Sequence, residues 1–286
     1  MRILIIGDSS LIAKCVKERL EHKHSLVTAG RNNNADVYID LAIVDSKLTT
    51  DIGNFDIIIH CAASFGGNLI TDAVQNEIVN SIGSLQIGLL AKATECRHVI
   101  YLSSISSYDV PENEYFGSYG LSKKHGQDNL ALLCNHFNIG FTALLPSQLY
   151  DAKSAARKHQ PLFYHIIDSA KEGRDINFYG TQDPQRNYLF VEDLAVIIEK
   201  VIEHQSFGIF TCTHPRSYSL KETAEVAYKV FGKGGKVSFL TEKPNIPTVY
   251  IPEDNQLYTL IDYSPTTNLE TGIMRIAEAM SSCRKI

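Results

Sequence analysis

The sequence predicts an α/β fold built on a doubly wound parallel sheet, on three observations. Short β-branched runs alternate with amphipathic helical patterns through the first half, the signature of a sheet covered on both faces. The first run, Ile3-Leu4-Ile5-Ile6, turns directly into a glycine-containing loop and then an apolar helical pattern. No internal repeat or low-complexity linker breaks the alternation.

Taken in order, strands are expected at 3–6, 26–29, 37–39, 57–61, 99–102 and 141–145, with a returning strand at 209–212. Leu11, Ile12, Cys15, Val16 and Leu20 recur at helical spacing after the first strand, and Leu85, Leu89, Leu90 and Ala93 do so before the fifth. A chain of 286 residues with 44% hydrophobic content has enough apolar side chain for a full core.

Composition narrows the function classes. A net charge of −5 without any basic run argues against a nucleic-acid binder and for a small soluble ligand. The six cysteines are scattered, without C-x-x-C spacing, as expected of reduced thiols in a cytoplasmic protein. The N-terminal apolar run is too short for a signal peptide or a membrane span. His60 reads as a satisfied core histidine, and no second ligand at useful spacing suggests a metal site.

The chemistry is concentrated at Tyr119-Gly120-Leu121-Ser122-Lys123. On a helix, residues four apart leave the same face, so phenol and ammonium become neighbours. An ammonium beside a phenol favours the phenolate and is expected to lower its pKa, which suits proton exchange at a carbonyl or alcohol. The pattern alone recurs by chance, and an exposed helical pair is the alternative.

The loop Gly7-Asp8-Ser9-Ser10-Leu11-Ile12-Ala13 lies where a Rossmann dinucleotide fold places its glycine turn and helix N-terminus. Its spacing resembles the G-x-x-G-x-x-G of the extended short-chain dehydrogenase/reductase family, the epimerases, dehydratases and reductases of nucleotide sugars. Ser10 stands at the second glycine and Ala13 at the third. Gly30-Arg31 follows the second strand, where an NAD enzyme carries an acid for the ribose, and an arginine there is suited to a 2′-phosphate. NADP(H) is therefore the favoured cofactor, NAD(H) the other candidate. Asp40-Leu41 resembles the adenine-contacting position, and Cys61-Ala62-Ala63 the small-residue turn beside the cofactor backbone. Asn80 matches a family asparagine.

Further motifs follow in the family's order. Leu102-Ser103-Ser104-Ile105-Ser106-Ser107-Tyr108 resembles the S-S-x-x-V-Y segment, which places a substrate-orienting hydroxyl at Ser104. Leu145-Pro146-Ser147-Gln148-Leu149-Tyr150 resembles the segment whose proline approaches the nicotinamide, so Pro146 is a cofactor contact and Gln148 a substrate contact. The stretch from Gly180 through Arg186 and Val191 to Asp193 and Ala195 resembles one whose arginine grips the diphosphate of a nucleotide sugar; a salt bridge from Arg186 to Glu192 or Asp193 is the structural alternative. Tyr218-Ser219-Leu220-Lys221-Glu222 looks like a helix cap.

The resemblance implies a dinucleotide-binding domain over 1–147, with 188–213 returning to it, and in the remainder of 148–286 a smaller C-terminal α/β domain that is mainly substrate-binding. It implies catalysis by Ser104, Tyr119 and Lys123, a cofactor cradle of Gly7, Ser10, Leu11, Ile12, Arg31, Asp40, Leu41, Cys61, Ala62, Ala63, Lys123 and Pro146, and a nucleotide-diphosphate sugar held by Ser104, Gln148 and Arg186. A 4-keto-6-deoxysugar reductase is the first expectation, from Arg31 and the short segment between Ser104 and Tyr119. An epimerase uses the same triad. Ile105-Ser106 stand where dehydratases carry Asp-Glu, which disfavours that reaction. A regulatory NAD(P) sensor without turnover would need no such triad. Neither nucleic acid nor membrane is an expected partner, and a homodimer is left open.

Overall fold

The computed structural model describes residues 1–44, 52–67 and 69–282. Cys283 lies outside the described residues. The N-terminal half runs β1 (Arg2–Ile6), α1 (Leu11–Leu20), β2 (Ser25–Gly30), β3 (Val37–Tyr38), β4 (Ile57–His60), α2 (Ile70–Asn76), a π-helical turn over Glu77–Ile82, α3 (Gly83–Ala93), β5 (His98–Leu102), α4 (Ser118–Phe137) and β6 (Gly140–Pro146). The chain continues through β7 (Gln148–Tyr150), α5 (Pro161–Glu172), β8 (Ile176–Tyr179), β9 (Gln185–Arg186), β10 (Tyr188–Phe190) and α6 (Val191–His204). It ends with β11 (Gly208–Cys212), β12 (Tyr218–Ser219), α7 (Leu220–Phe231), β13 (Val237–Leu240), α8 (Gln256–Leu260) and α9 (Leu269–Ser282).

Seven strands form one sheet in the order β3-β2-β1-β4-β5-β6-β11, and every pairing in it is parallel. The strand period shows why both faces are covered. Ile3 and Ile5 of β1 enter one core with Val16, Leu20 and the α6 residues Leu194 and Ile198, while Leu4 and Ile6 enter the other with Ile87, Leu90 and Leu130. Glu199 on α6, almost fully buried, fastens the first layer by pairing with Arg19 at 2.5 Å and Lys23 at 2.6 Å. The chain leaves β1 for β2 and β3, then crosses back to β4. The crevice beyond the strand ends at this reversal is where the doubly wound topology places a ligand.

A third core gathers Tyr150, Phe163, Tyr164, Phe190, Leu220 and Ile273 beneath three two-stranded ribbons, β7 with β10, β8 with β13 and β9 with β12. The helix read at Ser219 starts with a complete capping box: the Glu222 N–H donates to Ser219 Oγ at 3.1 Å, and the Ser219 N–H donates to Glu222 Oε2 at 2.8 Å. Asp193 accepts from Tyr263 Oη at 2.7 Å and from the Thr267 N–H at 3.0 Å, tying the C-terminal segment to the head of α6.

One helical face differs from expectation. On α3, Leu89 is 52% exposed and Ala93 is exposed, while Ser84, Ile87, Gly88 and Ala91 are buried along with Leu90. The helix is pressed against both the sheet and α4, and close approach selects small residues. A methyl on Gly88 would stand 2.6 Å from the Leu133 side chain of α4.

Candidate functional site

Gly7 shapes the first part of the site. Its φ of +95° and the 2.6 Å that would separate an added Cβ from the Ala62 backbone nitrogen both demand glycine, and they bring the β1–α1 turn onto the end of β4. Ser10 needs no such freedom. With φ −68° and ψ 150° it is the N-cap of α1, its Oγ accepting the Ala13 N–H at 3.1 Å. The departure from the glycine pattern is thus a helix cap, and the hydroxyl proton is still available to a ligand. The first-turn N–H groups of α1, including those of Leu11 and Ile12, lack intrahelical acceptors and suit a phosphate.

These elements border a cleft of about 560 Å³. Gly7, Ser10, Arg31, Asp40, Leu41, Ala62 and Ala63 all line it, as the sequence reading expects. Cys61 does not: its side chain belongs to the core of the first layer, and its N–H donates to Ile6 O at 2.8 Å. Leu11 and Ile12 turn their side chains to the cores, so only their backbone can serve a ligand. Pro146 closes β6 opposite Cys212 and, like Lys123, lies outside this cleft. The reading missed Asp8, Asn32, Ala42, Ser64, Gln75 and Val79, which also line it. Gln75 and Val79 come from a helical segment that no strand-end motif flags.

The second part of the site is built where α4 meets the turn after β5. A Cβ on Gly120 would lie 2.1 Å from Ser106 O, so this glycine lets α4 settle onto the 3-10 turn Ile105–Ser107. Ser104 caps that turn, its Oγ accepting the Ser106 N–H at 3.1 Å, and its hydroxyl is near enough to the Tyr119 phenol to lower its pKa. Lys123 follows one helical turn later, 1% exposed, with its ammonium 4.0 Å from the centroid of the Tyr101 ring. Asn80 in the π-helical turn braces the assembly. Its Nδ2 donates to Ser122 Oγ and to Ser64 O, each at 2.9 Å, and its Oδ1 accepts the Ser64 N–H at 2.7 Å. Phe65, also missed by the sequence reading, packs on Tyr119 with ring centroids 4.4 Å apart.

The electrostatics depart from expectation. Burial pushes the Tyr119 phenol up to about 12, against the smaller opposing effect of its Ser104 hydrogen bond. Burial pushes Lys123 down to about 7, with Cys61 opposing. Lys123 is not among the causes of the Tyr119 shift; its ammonium faces the Tyr101 ring instead, so the lowered tyrosine pKa expected from the helical spacing is replaced by a raised one set by desolvation. His60 likewise differs: it is fully buried, neither ring nitrogen has a hydrogen-bond partner among the described residues, and burial followed by the Lys123 charge holds it down at about 3.

Arg186 is 1% exposed, yet it has no carboxylate partner among the described residues. Its Nη1 donates to Gln185 O and its Nη2 to Pro247 O, both at 2.8 Å, and the guanidinium stands 5.6 Å from the centroid of the Tyr115 ring. The alternative of a bridge to Glu192 or Asp193 is not formed among the described residues, and the Asp193 carboxylate is engaged by the C-terminal segment. Gln148 is brought near by the backbone, its N–H donating to Asn187 O at 3.1 Å. Its Nε2 donates to Gln160 Oε1 at 3.0 Å, while its Oε1 is buried with no hydrogen-bond partner among the described residues.

The NAD dependent epimerase/dehydratase family profile matches residues 3–212. A curated relative, UDP-glucuronic acid decarboxylase 1 of Xenopus tropicalis, is 24% identical over 95% of this chain and 70% of its own length. Among solved structures, UDP-glucose 4-epimerase of Thermotoga maritima superposes with a TM-score of 0.83 at 16% identity, covering 99% of this chain and 100% of that one. UDP-glucuronic acid 4-epimerase of Bacillus cereus, in complex with UDP-glucuronic acid and NAD, gives 0.82 at 17%, covering 99% and 100%.

These findings correct the cofactor expectation. NADP(H) was favoured from Arg31, but several similar solved structures, among them the Bacillus cereus UDP-glucuronic acid 4-epimerase, are in complex with NAD. Arg31 itself is exposed, and the carboxylate standing beside Gly30 is that of Asp8. A phosphate brought to this end of the cleft would meet a negative charge as well as a positive one.

Proposed function

Because the chain belongs to the NAD dependent epimerase/dehydratase family, we propose that it is an NAD-dependent oxidoreductase acting on a sugar carbon of a nucleotide-diphosphate sugar. The observation that carries this reading is the convergence of half-buried Ser104 and Tyr119 with buried Lys123 on one corner beside the cleft. The cleft fits a dinucleotide: its volume is in the range of small-molecule sites, and Gly7 admits a close backbone approach. Gly7, Ser10 and the first turn of α1 would hold the diphosphate, and Asp40, Leu41 and Ala42 would border the adenine. NAD, when bound, supplies or accepts the hydride.

The remaining steps belong to the chain. Tyr119 exchanges a proton at the sugar oxygen, and its raised pKa makes the protonated phenol the resting form at neutral pH, set to donate. Ser104 hydrogen-bonds the same oxygen and orients the carbon that carries it. Lys123, in its ammonium form, favours the phenolate that is left. Arg186 presents buried donors without a counter-charge, which suits a diphosphate.

With NADP selection withdrawn, the 4-keto-6-deoxysugar reductase reading rests on the short segment between Ser104 and Tyr119 alone. Epimerisation at the same carbon through a ketone is supported by the NAD found in similar solved structures. Incubation of the purified protein with a panel of nucleotide-diphosphate sugars separates the two. Stoichiometric NADH consumption with a keto sugar marks a reductase, and a new epimer without net NADH change marks an epimerase. Absence of both across uridine-, guanosine- and thymidine-linked sugars would sink the enzymatic reading.

A further inference from the structure

The end of β2 lacks the acid that an NAD-binding doubly wound fold uses to hold the ribose. Resting on the NAD reading above, we propose that Asp8, from the turn after β1, supplies the missing carboxylate and selects NAD(H) over NADP(H).

Four observations carry this. Asp8 lines the cleft together with Gly30, Arg31 and Asn32. Its Oδ1 is buried and has no hydrogen-bond partner among the described residues. Among the described residues its Oδ2 accepts only the Asn32 Nδ2–H, at 3.2 Å, which fastens the carboxylate to the loop after β2. Gly30 makes the room, because a Cβ there would stand 2.0 Å from Asp8 Oδ1.

The chemistry follows from lone pairs. An ionised carboxylate accepts about four hydrogen bonds, and this one has a single long donor among the described residues. A polar group so poorly paired at a cleft wall is suited to hydroxyl donors from a ligand. A ribose diol provides them, whereas a 2′-phosphate provides acceptors and negative charge. The same carboxylate therefore attracts one cofactor and repels the other, despite Arg31 nearby.

The test is calorimetric titration of the full chain with NADH, NADPH, ADP and 2′-deoxy-ADP, for wild type, Asp8→Ala and Gly30→Ala. Wild type is expected to favour NADH over NADPH, and ADP over 2′-deoxy-ADP, each by about tenfold, the scale of a hydrogen bond to a charged group. Asp8→Ala should weaken NADH by about tenfold and bring both ratios to within about twofold. Gly30→Ala, which displaces the carboxylate while keeping its charge, should move the ratios in the same direction, and thermal melting confirms that each variant is folded. Wild type that binds neither dinucleotide overturns the NAD reading and this inference with it. NADH binding that Asp8→Ala leaves unchanged overturns this inference alone. Tighter binding of both dinucleotides to Asp8→Ala also overturns it, since Asp8 would then repel the diphosphate.

Discussion

Lys123 offers the sharpest quantitative test, because its ammonium is buried at 1% exposure with burial as the main perturbation. Its pKa falls from 10.5 to about 7 on folding. The sign follows from proton counting: between those two values the unfolded chain holds a proton that the folded chain has released, so stability rises with pH across this window. Below about pH 7 the buried ammonium penalty is present in full. The face of Tyr101, 4.0 Å away, offsets part of it by roughly 0.5–2 kcal/mol, which brings the effective pKa up somewhat. Lys123→Met keeps the length and removes the charge, so it should abolish this pH dependence. From pH 6.5 to pH 9, wild type should gain about 1–3 kcal/mol of stability relative to the variant. Urea denaturation of the cofactor-free protein at both pH values measures the difference. The window stops short of Tyr119, whose folded pKa is about 12. Equal stability differences at the two pH values would refute the argument that desolvation dominates this corner.

Three further outcomes follow from the site. Tyr119→Phe keeps the ring packed on Phe65, so NADH affinity and melting temperature should hold while turnover of an authentic nucleotide sugar drops about 10²–10⁴-fold; undiminished turnover would remove the phenol from the mechanism. Arg186→Lys keeps the charge but loses the fork, and is expected to raise the KM for the nucleotide sugar about tenfold or more with little change in NADH affinity; an unchanged KM in steady-state assays assigns Arg186 to structure only. Gly120→Ala drives a methyl against Ser106 O and should cost about 1–3 kcal/mol by urea denaturation, with activity falling further as Tyr119 parts from Ser104. Retained activity in that variant would show that the close approach of α4 is dispensable.

The sequence by itself determined the sheet and the spacing of the motifs along it. Alternation of β-branched runs with helical spacing is local information, and it located each sheet strand of the first half to within a residue or two of its observed ends, as with 3–6 against Arg2–Ile6 and 141–145 against Gly140–Pro146. Chemistry carried by fixed spacing was equally legible: the N-cap geometry of Ser219 with Glu222, and Tyr119 one turn from Lys123 on α4. The tertiary structure decided what depends on distant neighbours. Burial fixed the sign of the Tyr119 and Lys123 shifts, because desolvation depends on atoms from several elements that spacing along one helix cannot count. It decided that Arg186 has carbonyls rather than carboxylates around it, since Pro247 O comes from a segment far along the chain. It set which side of α3 is buried, through the proximity of Leu133. It also put Asp8 beside Gly30: residues at the ends of β1 and β2 meet only because parallel register aligns Ile6 with Ala29, a pairing that no local pattern encodes.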